Sequence, residues 1–583
     1  MFRLSESNAM VNLIRRSPVD DSHLPATLPP LLRQIYATRG IGSANELELE
    51  LANMLNPTTL SGAAQGAQVL ADAIAANRRI LIVGDFDADG ATSSALSMLA
   101  LRAMGAQFVD YLVPNRFDYG YGLSPALVAL AEQAGAEVLI TVDNGISAHS
   151  GVQAAKDAGM TVVVTDHHLP GETLPNADVI INPNRDSCPF ASKAMAGVGV
   201  AFYLMLALRT ELRQRNWFAQ RGLAIPNMAE LLDIVALGTV ADVVPLDHNN
   251  RVLVQQGIRR IRAGRCRPGI KALLEVAQRE PARLVSSDLG FAVGPRLNAA
   301  GRLDDMSLGI ACLLADDMVE ARQIASELDR LNIERREIEQ SMQVEAVQAL
   351  QRLDLRGEDL PWGVVLYQSD WHQGVIGILA SRLKDQYHRP VIAFAEAGGG
   401  EVKGSARSIP GLHMRDLLER IDTAHPGLIL KFGGHAMAAG LSLKECDYER
   451  FAQLYDQAVR DTLEASALTG VLLSDGELSA EQLGLETAAL LRQAGPWGQN
   501  FPEPLFDGRF KLLDQRLVGQ KHLKMAVESE CGQVQLDAIA FNVDLKQWPN
   551  AAVQWVQLAY KLDINHWRGR DSAQLLVEYI EAQ

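Results

Sequence analysis

The sequence predicts an α/β fold: a doubly wound parallel-sheet domain, a long connecting helix, a second α/β domain and a C-terminal OB-like β-barrel. Three observations predict it. Apolar runs of strand length, Ile80-Leu-Ile-Val83, Glu137-Val-Leu-Ile-Thr-Val142 and Thr161-Val-Val-Val-Thr165, each stop at carboxylates and each lead into a segment rich in Ala and Leu. Such alternation buries a parallel sheet on both faces. From Asp317 to Leu353 Gly and Pro are absent, and Leu328, Leu331, Ile338, Met342, Ala346 and Ala349 approximate a helical stripe broken at Arg335. Beyond about residue 470, short alternating runs such as Val534–Phe541 and Val553–Leu558, punctuated by Gly and Pro, suit a small barrel.

The elements follow in order. Residues 1–75 read as an N-terminal helical cap entered at Leu28-Pro-Pro-Leu-Leu32. Residues 76–315 hold the parallel sheet and then a helical stretch containing Pro295 to Arg302. Residues 316–355 form the linker helix, whose Gly- and Pro-free run from Asp317 to Leu353 is about 55 Å long at about 1.5 Å per residue, long enough to bridge two domains. Residues 356–465 begin a new strand–helix series, Gly363–Tyr367, Gly374–Arg382 and Pro390–Phe394, followed by Gly398-Gly-Gly400. Residues 466–583 form the barrel, a common platform for single strands, on which one or two of Trp497, Phe501, Phe506, Phe510 and Trp567 are expected to stack bases while the rest fill the core.

The strand ends carry the chemistry. Asp85, Asp87 and Asp89 share one face if strand geometry persists that far. So close together they repel unless a cation lies among them, and a hard divalent ion is the economical choice. The same letters open an EF-hand, but loop position twelve is Leu96, not Glu, and a strand rather than a helix precedes them. A solvated acidic turn is the bland alternative. Asp143 ends the second strand, and Asp166, His167 and His168 end the third. Ligands of such sheets bind beyond the carboxyl ends of the strands. Carboxylates mixed with imidazole suit manganese, magnesium or zinc, and two ions sharing a carboxylate make the clamp of phosphoester hydrolysis.

Composition bounds the rest. The 583 residues are 48% apolar, enough for several packed domains. Five scattered Cys with no Cys-x-x-Cys exclude a disulfide scaffold or zinc ribbon and suit a reducing compartment. No apolar signal core is present, and the longest apolar run, Ala194 to Leu208, falls short of a membrane span and reads as a buried helix behind the site. A net charge of −16 requires a nucleic-acid binder to concentrate its cations locally, and Arg509, Lys511, Arg516, Lys521 and Lys524 offer one such concentration.

Asp85-Phe-Asp-Ala-Asp-Gly90, Asp143-Asn-Gly145 and Asp166-His-His168 resemble the successive motifs of DHH-type phosphoesterases. Val113-Pro-Asn-Arg116, Gly197–Phe202, Gly238–Pro245, Gly294–Arg302, Gly404–Ser408 and Gly433–Gly440 extend the resemblance to the bacterial RecJ branch over nearly the whole chain. The resemblance implies a DHH domain, a DHHA1-type second domain that closes over the metal site, and a 5′→3′ exonuclease specific for single-stranded DNA, acting in recombination and repair. It implies two divalent cations, Mn2+ or Mg2+, held by Asp85, Asp87, Asp89, Asp143, His167 and Asp242, with Asp143 shared. Asp143, Asp166 and His168 are the catalytic candidates, Asp166 as a group that orients a histidine and His168 on the phosphate or leaving oxygen. Arg116, Arg302, Ser405, Arg407, Gly434 and His435 are linked to phosphate binding, with Arg296 an alternative to Arg302. A cytoplasmic monomer, with single-strand binding protein and a RecQ-type helicase as partners, is expected. A phosphoesterase for short substrates and a non-catalytic single-strand binder are the competing classes.

Overall fold

The computed structural model describes residues 11–115, 122–352, 360–519 and 521–583, and it divides into two compact units. One comprises Val19–Ile333 with Gln493–Glu503; the other comprises residues 11–18, Glu334–Arg492 and Pro504–Gln583. Strand β1 (Val11–Arg15) is the first described element of the segment expected to be a helical cap, and helices Pro30–Thr38 and Ala63–Ala75 follow it.

The first unit is built on a parallel sheet of β2 (Ile80–Gly84), β3 (Val109–Leu112), β4 (Val138–Val142), β5 (Thr161–Thr165) and β6 (Val179–Ile181) in the order β3-β2-β4-β5-β6. β2 and β4 are buried at every residue, which is why they read as unbroken apolar runs. On one face Leu81, Val83, Leu139, Val162 and Val164 pack against helices Pro125–Gln133 and His149–Asp157. Helices Ala88–Ala103 and Gly197–Gln214 contact the sheet strands, and Ala63–Ala75 packs on Gly197–Gln214 and β6. The winding direction reverses between β2 and β4, and that switch opens a crevice at the carboxyl ends. β5 departs from the expected alternation: residues 166–178 run to β6 with no helix between.

In the second unit, β7 (Val364–Gln368), β8 (Val391–Gly398), β9 (Glu401–Arg407), β10 (Ile429–Gly434) and β11 (Ala438–Lys444) form a mixed sheet, β10-β11-β9-β8-β7. Helices Met414–Ala424 and Tyr448–Arg460 bury Leu417, Leu418, Phe451 and Tyr455 in the core shared with Phe394 and Leu441. β12 (Gly470–Ser474) pairs in parallel with β1. β13 (Phe506–Val518), β14 (His522–Ser529), β15 (Gln535–Ala540), β16 (Trp555–Trp567) and β17 (Arg570–Ala582) close a five-stranded barrel.

The linker helix spans Met318–Arg352. Its stripe breaks at Arg335 because that guanidinium is buried against Glu339, Nη1 to Oε2 at 2.7 Å. Arg382 donates to the other oxygen of Glu339 at 2.9 Å. Glu339→Ala removes a buried acidic partner of a buried guanidinium, a loss of about 3–5 kcal/mol, whereas Arg382→Ala removes a mostly exposed partner and costs about 1 kcal/mol or less. Differential scanning calorimetry should therefore show a clearly lower first transition for Glu339→Ala and a near-native one for Arg382→Ala.

Candidate metal centre

β2 ends at Gly84, so Asp85, Asp87 and Asp89 do not continue along one strand face as expected. The chain turns directly into the helix Ala88–Ala103. Asp87 is its N-cap, and its Oδ1 accepts from the Asp89 and Gly90 amides at 3.0 Å each. Asp89 sits in the first helical turn, where its two oxygens accept from Gly197 N at 2.6 Å and Val198 N at 2.9 Å. Those amides begin the helix Gly197–Gln214, whose positive end favours a carboxylate. Alternate spacing thus brings the three acids together by a strand-to-helix turn rather than by the pleat.

Asp143 follows β4 with φ +62°, a left-handed conformation that a non-glycine residue adopts rarely. A Cβ on Gly197 would lie 2.7 Å from the Asp143 Cβ, so only glycine lets the helix start this close. Asp242 closes the apolar helix Leu232–Ala241. The next residue, Val243, holds φ +61°, a strained state for a β-branched side chain.

His167 draws these elements together. Its Nε2 stands 3.1 Å from Asp143 Oδ1, 3.5 Å from Asp242 Oδ2 and 3.9 Å from Asp89 Oδ2. Both His167 Nε2 and Asp242 Oδ2 are buried without a hydrogen bond. Neighbouring ligand atoms on a six-coordinate ion with bonds of about 2.1 Å stand about 3 Å apart, so these spacings fit a shared cation. Three overlapping ligand groups result: Asp85, Asp87 and Asp143; Asp89, His167 and Asp242; and Asp143, His167 and His168. Asp143 belongs to two of them.

Asp166 does not offer a free oxygen to that cluster. Its Oδ2 accepts from Ile146 N at 2.9 Å, and its Oδ1 accepts from His167 N at 2.7 Å, from His168 N at 3.1 Å and lies 2.7 Å from His168 Nδ1. It positions both histidines. Asn182 and Asn184, just past β6, donate to the carbonyls of His168 and His167 at 2.8 and 2.5 Å. Neither asparagine was singled out in the sequence, although the apolar Val179-Ile-Ile181 ahead of Asn182-Pro-Asn184 repeats the strand-end pattern.

The electrostatics point the same way. Burial, then the charge of Asp87, pushes Asp89 up to about 7. Burial and the charges of Asp89, Asp87, Asp242 and Asp85 raise Asp143 well above the ordinary carboxylate range, and burial with Asp89, Asp87 and Asp85 does the same to Asp242. Burial, helped by the His168 charge, lowers His167 to about 4, leaving a neutral imidazole of the kind that ligates metals. For His168 burial acts downward, but the Asp166 hydrogen bond and nearby carboxylates outweigh it and lift the ring to about 8. Asp166 is lowered: the His168 hydrogen bond and the two imidazoles outweigh its burial.

The helix Gly294–Leu303 supports the turn. Asn298 Oδ1 accepts from Ala88 N at 2.8 Å, and a Cβ on Gly301 would sit 1.8 Å from the Phe86 carbonyl oxygen. Arg302 lies half-buried in its last turn. Arg296 is engaged with Asp329 at 2.8 Å and with the Ala292 carbonyl at 2.6 Å. Arg116 lies outside the described residues.

In the second unit Ser405, Arg407, Gly434 and His435 gather at one end of the mixed sheet, where β9 and β10 flank β11. Arg407 Nη1 donates to Ser405 Oγ at 3.1 Å and to the Ala406 carbonyl at 2.8 Å. His435 N donates to Ala438 O at 2.8 Å, so this amide is used in the hairpin.

The expected aromatic stackers need correction. Trp497 and Phe501 lie outside the barrel, stacked on each other and on Tyr36. Phe506 and Phe510 fill the barrel core, and Trp567, 67% exposed, is left accessible. Phe541, also exposed and against His522, was missed because it ends an alternating run. The basic stretch is partly neutralised, with Arg509 on Glu530 at 3.1 Å and Lys524 on Asp537 at 2.9 Å. Among the described residues no helix is long and apolar enough to cross a membrane.

Three family models match the chain: the DHH family N-terminal domain over residues 79–239, the DHHA1 domain over 362–461 and the RecJ OB domain over 474–579. The single-stranded-DNA-specific exonuclease RecJ of Dickeya dadantii is 62% identical, covering 98% of this chain and 99% of that protein. The exonuclease of the same name from Escherichia coli is 61% identical, covering 97% and 98%. The crystal structure of RecJ from Thermus thermophilus in complex with Mn2+ is 28% identical with a TM-score of 0.79, covering 98% of this chain and 80% of that one. A Mg2+ complex from the same organism gives a TM-score of 0.74 at 26% identity, covering 98% and 79%. With DHH, DHHA1 and RecJ-type OB modules in that order, and near-full-length relatives above 60% identity, the chain belongs to the RecJ family of DHH proteins.

Proposed function

We propose that the chain is a single-stranded-DNA-specific exonuclease that works from the 5′ end, hydrolysing the terminal phosphodiester with two divalent cations and releasing 5′-mononucleotides. The observation that carries this reading is the buried His167 Nε2 facing carboxylate oxygens of Asp143, Asp242 and Asp89 within 3.9 Å. Such a ligand set on a parallel sheet suits Mn2+ or Mg2+. The specificity for single strands rests on the relatives' shared name, and the polarity on the motif resemblance. Action in recombination and repair, a cytoplasmic location and partnership with single-strand binding protein and a RecQ-type helicase rest on that resemblance too.

Asp85, Asp87, Asp89, Asp143, His167 and Asp242 would hold the pair of ions, with Asp143 between them. The chemistry such a pair supplies is acidification of a water and neutralisation of charge on the phosphate. Asp166 fixes the His168 ring through Nδ1, and Nε2 would meet the scissile phosphate or give a proton to the departing O3′. Arg302, and the Arg407–Ser405 pair on the mixed sheet, would read the 5′-phosphate; guanidinium suits that task. The exposed Trp567 would stack a base.

The decisive assay digests single strands labelled at either end, and matched duplexes, with Mg2+ or Mn2+. Early release of the 5′ label, with duplex spared, is the expected outcome; early release of the 3′ label would refute the polarity. Asp143→Ala should cost at least a thousandfold in turnover while single-strand affinity, measured by anisotropy with EDTA present, stays within about twofold; unchanged turnover would sink the metal assignment. Arg407→Ala should erode the preference for 5′-phosphate over 5′-hydroxyl ends by about tenfold or more, and an equal loss on both ends would argue against end reading.

A further inference from the structure

Arg251 lies on the helix His248–Arg262, and it is only 3% exposed. Its Nε is buried without a hydrogen bond, and among the described residues no carboxylate comes within ion-pair range of its guanidinium. The guanidinium lies over the Phe501 ring, whose centroid is 4.4 Å away. A cation–π contact offsets only part of the cost of burying a charge. Glu46 and Asp247 attract it from a distance, and Asp247 is itself committed to the Asn250 amide and the Ser192 hydroxyl.

Arg251 lines a cavity of about 280 Å3. Gln255, Gln493 and Arg259 also line it, and Arg259 is paired with Glu50 at 2.5 Å. Tyr36 and Phe501 supply an aromatic side; the Tyr36 hydroxyl donates to the Ala494 carbonyl at 2.8 Å, so that wall is fixed. A buried cation without a counterion, facing a cavity with further donors, is a receptor for an anion.

We propose that this cavity binds a compact phosphate-bearing anion, with Arg251 as its charge partner. Guanidinium matches phosphate through paired N–H groups. The exposed carboxylates of Glu48 and Glu50 on the lining disfavour a polyanionic strand and leave room for a small ligand. The aromatic side accepts a nucleobase or leaves a bare phosphate undisturbed, so the site takes either a mononucleotide or orthophosphate. The proposal is independent of the nuclease reading.

Trp497 stacks on Phe501, 5.2 Å between centroids, and reports on the cavity. The experiment titrates the full chain with orthophosphate and, separately, with dAMP, reading the fluorescence that Trp497→Phe abolishes. A saturable signal is expected, weakened at least tenfold in Arg251→Met and strengthened severalfold in Glu50→Gln, which removes a rim charge and releases Arg259. Tighter binding of dAMP than of orthophosphate identifies a nucleotide ligand; equal binding identifies the phosphate group alone. Absence of a Trp497-dependent signal with both probes, or equal affinity in the parent and Arg251→Met, overturns the site. Should Arg251→Met fail to fold, Glu50→Gln, altered on an exposed rim, decides: unchanged affinity overturns the proposal.

Discussion

Confinement of like charges governs this molecule. Asp85, Asp89 and Asp143 are buried within reach of Asp87 and Asp242, and burial, reinforced by the neighbouring carboxylates, makes Asp89 and Asp143 unwilling to ionise. The fold contains that repulsion with directed hydrogen bonds: helix N-terminal amides on Asp89, an N-cap on Asp87, and a wholly engaged Asp166 behind the histidines. The arrangement makes sense as a cage that awaits positive charge, and the relatives solved with Mn2+ and Mg2+ carry such charge in their complexes.

The cage is precise because its supports are backbone rather than long side chains. The strand ends arrive in register through the ladders β2–β4 and β4–β5. The turn at Phe86 to Ala88 is clamped by Asn298 and by the close pass of Gly301. Left-handed backbone at Asp143 and Val243 places two of the candidate ligands at a local cost, which the surrounding packing bears. Metal geometry tolerates little error, and rigid elements hold ligands better than loops do.

Much of this was legible in the sequence, for reasons that can be named. Strands buried on both faces announce themselves as apolar runs, and acids at their ends are out of place unless they serve a ligand. Asp87, Asp143 and His167 were visible on that ground. Asp242 was not, because it closes a helix and its neighbours are apolar; only family likeness selected it. The route by which Asp89 joins Asp87 was misread, since a helix starting at Ala88 leaves the same letters as a continued strand. Asn182 and Asn184 act through their amides on backbone carbonyls, a role with no spacing rule. Aromatics in the C-terminal third were hardest, because core and surface rings alternate with identical periodicity on a barrel strand.

The pairing of β1 with β12 has a consequence for biosynthesis. Val11 meets Gly470, so β1, once it leaves the ribosome, waits for a partner more than four hundred residues behind it. At about 5–20 residues per second that delay is roughly 20 to 90 seconds. The sheet-bearing unit waits as well, for Gln499 and Trp497, which bond Leu246 and Ser286. Neither half of the protein closes its surface until most of the message has been read, and a nascent chain cut short before residue 470 leaves an unpaired strand edge for chaperones to shield.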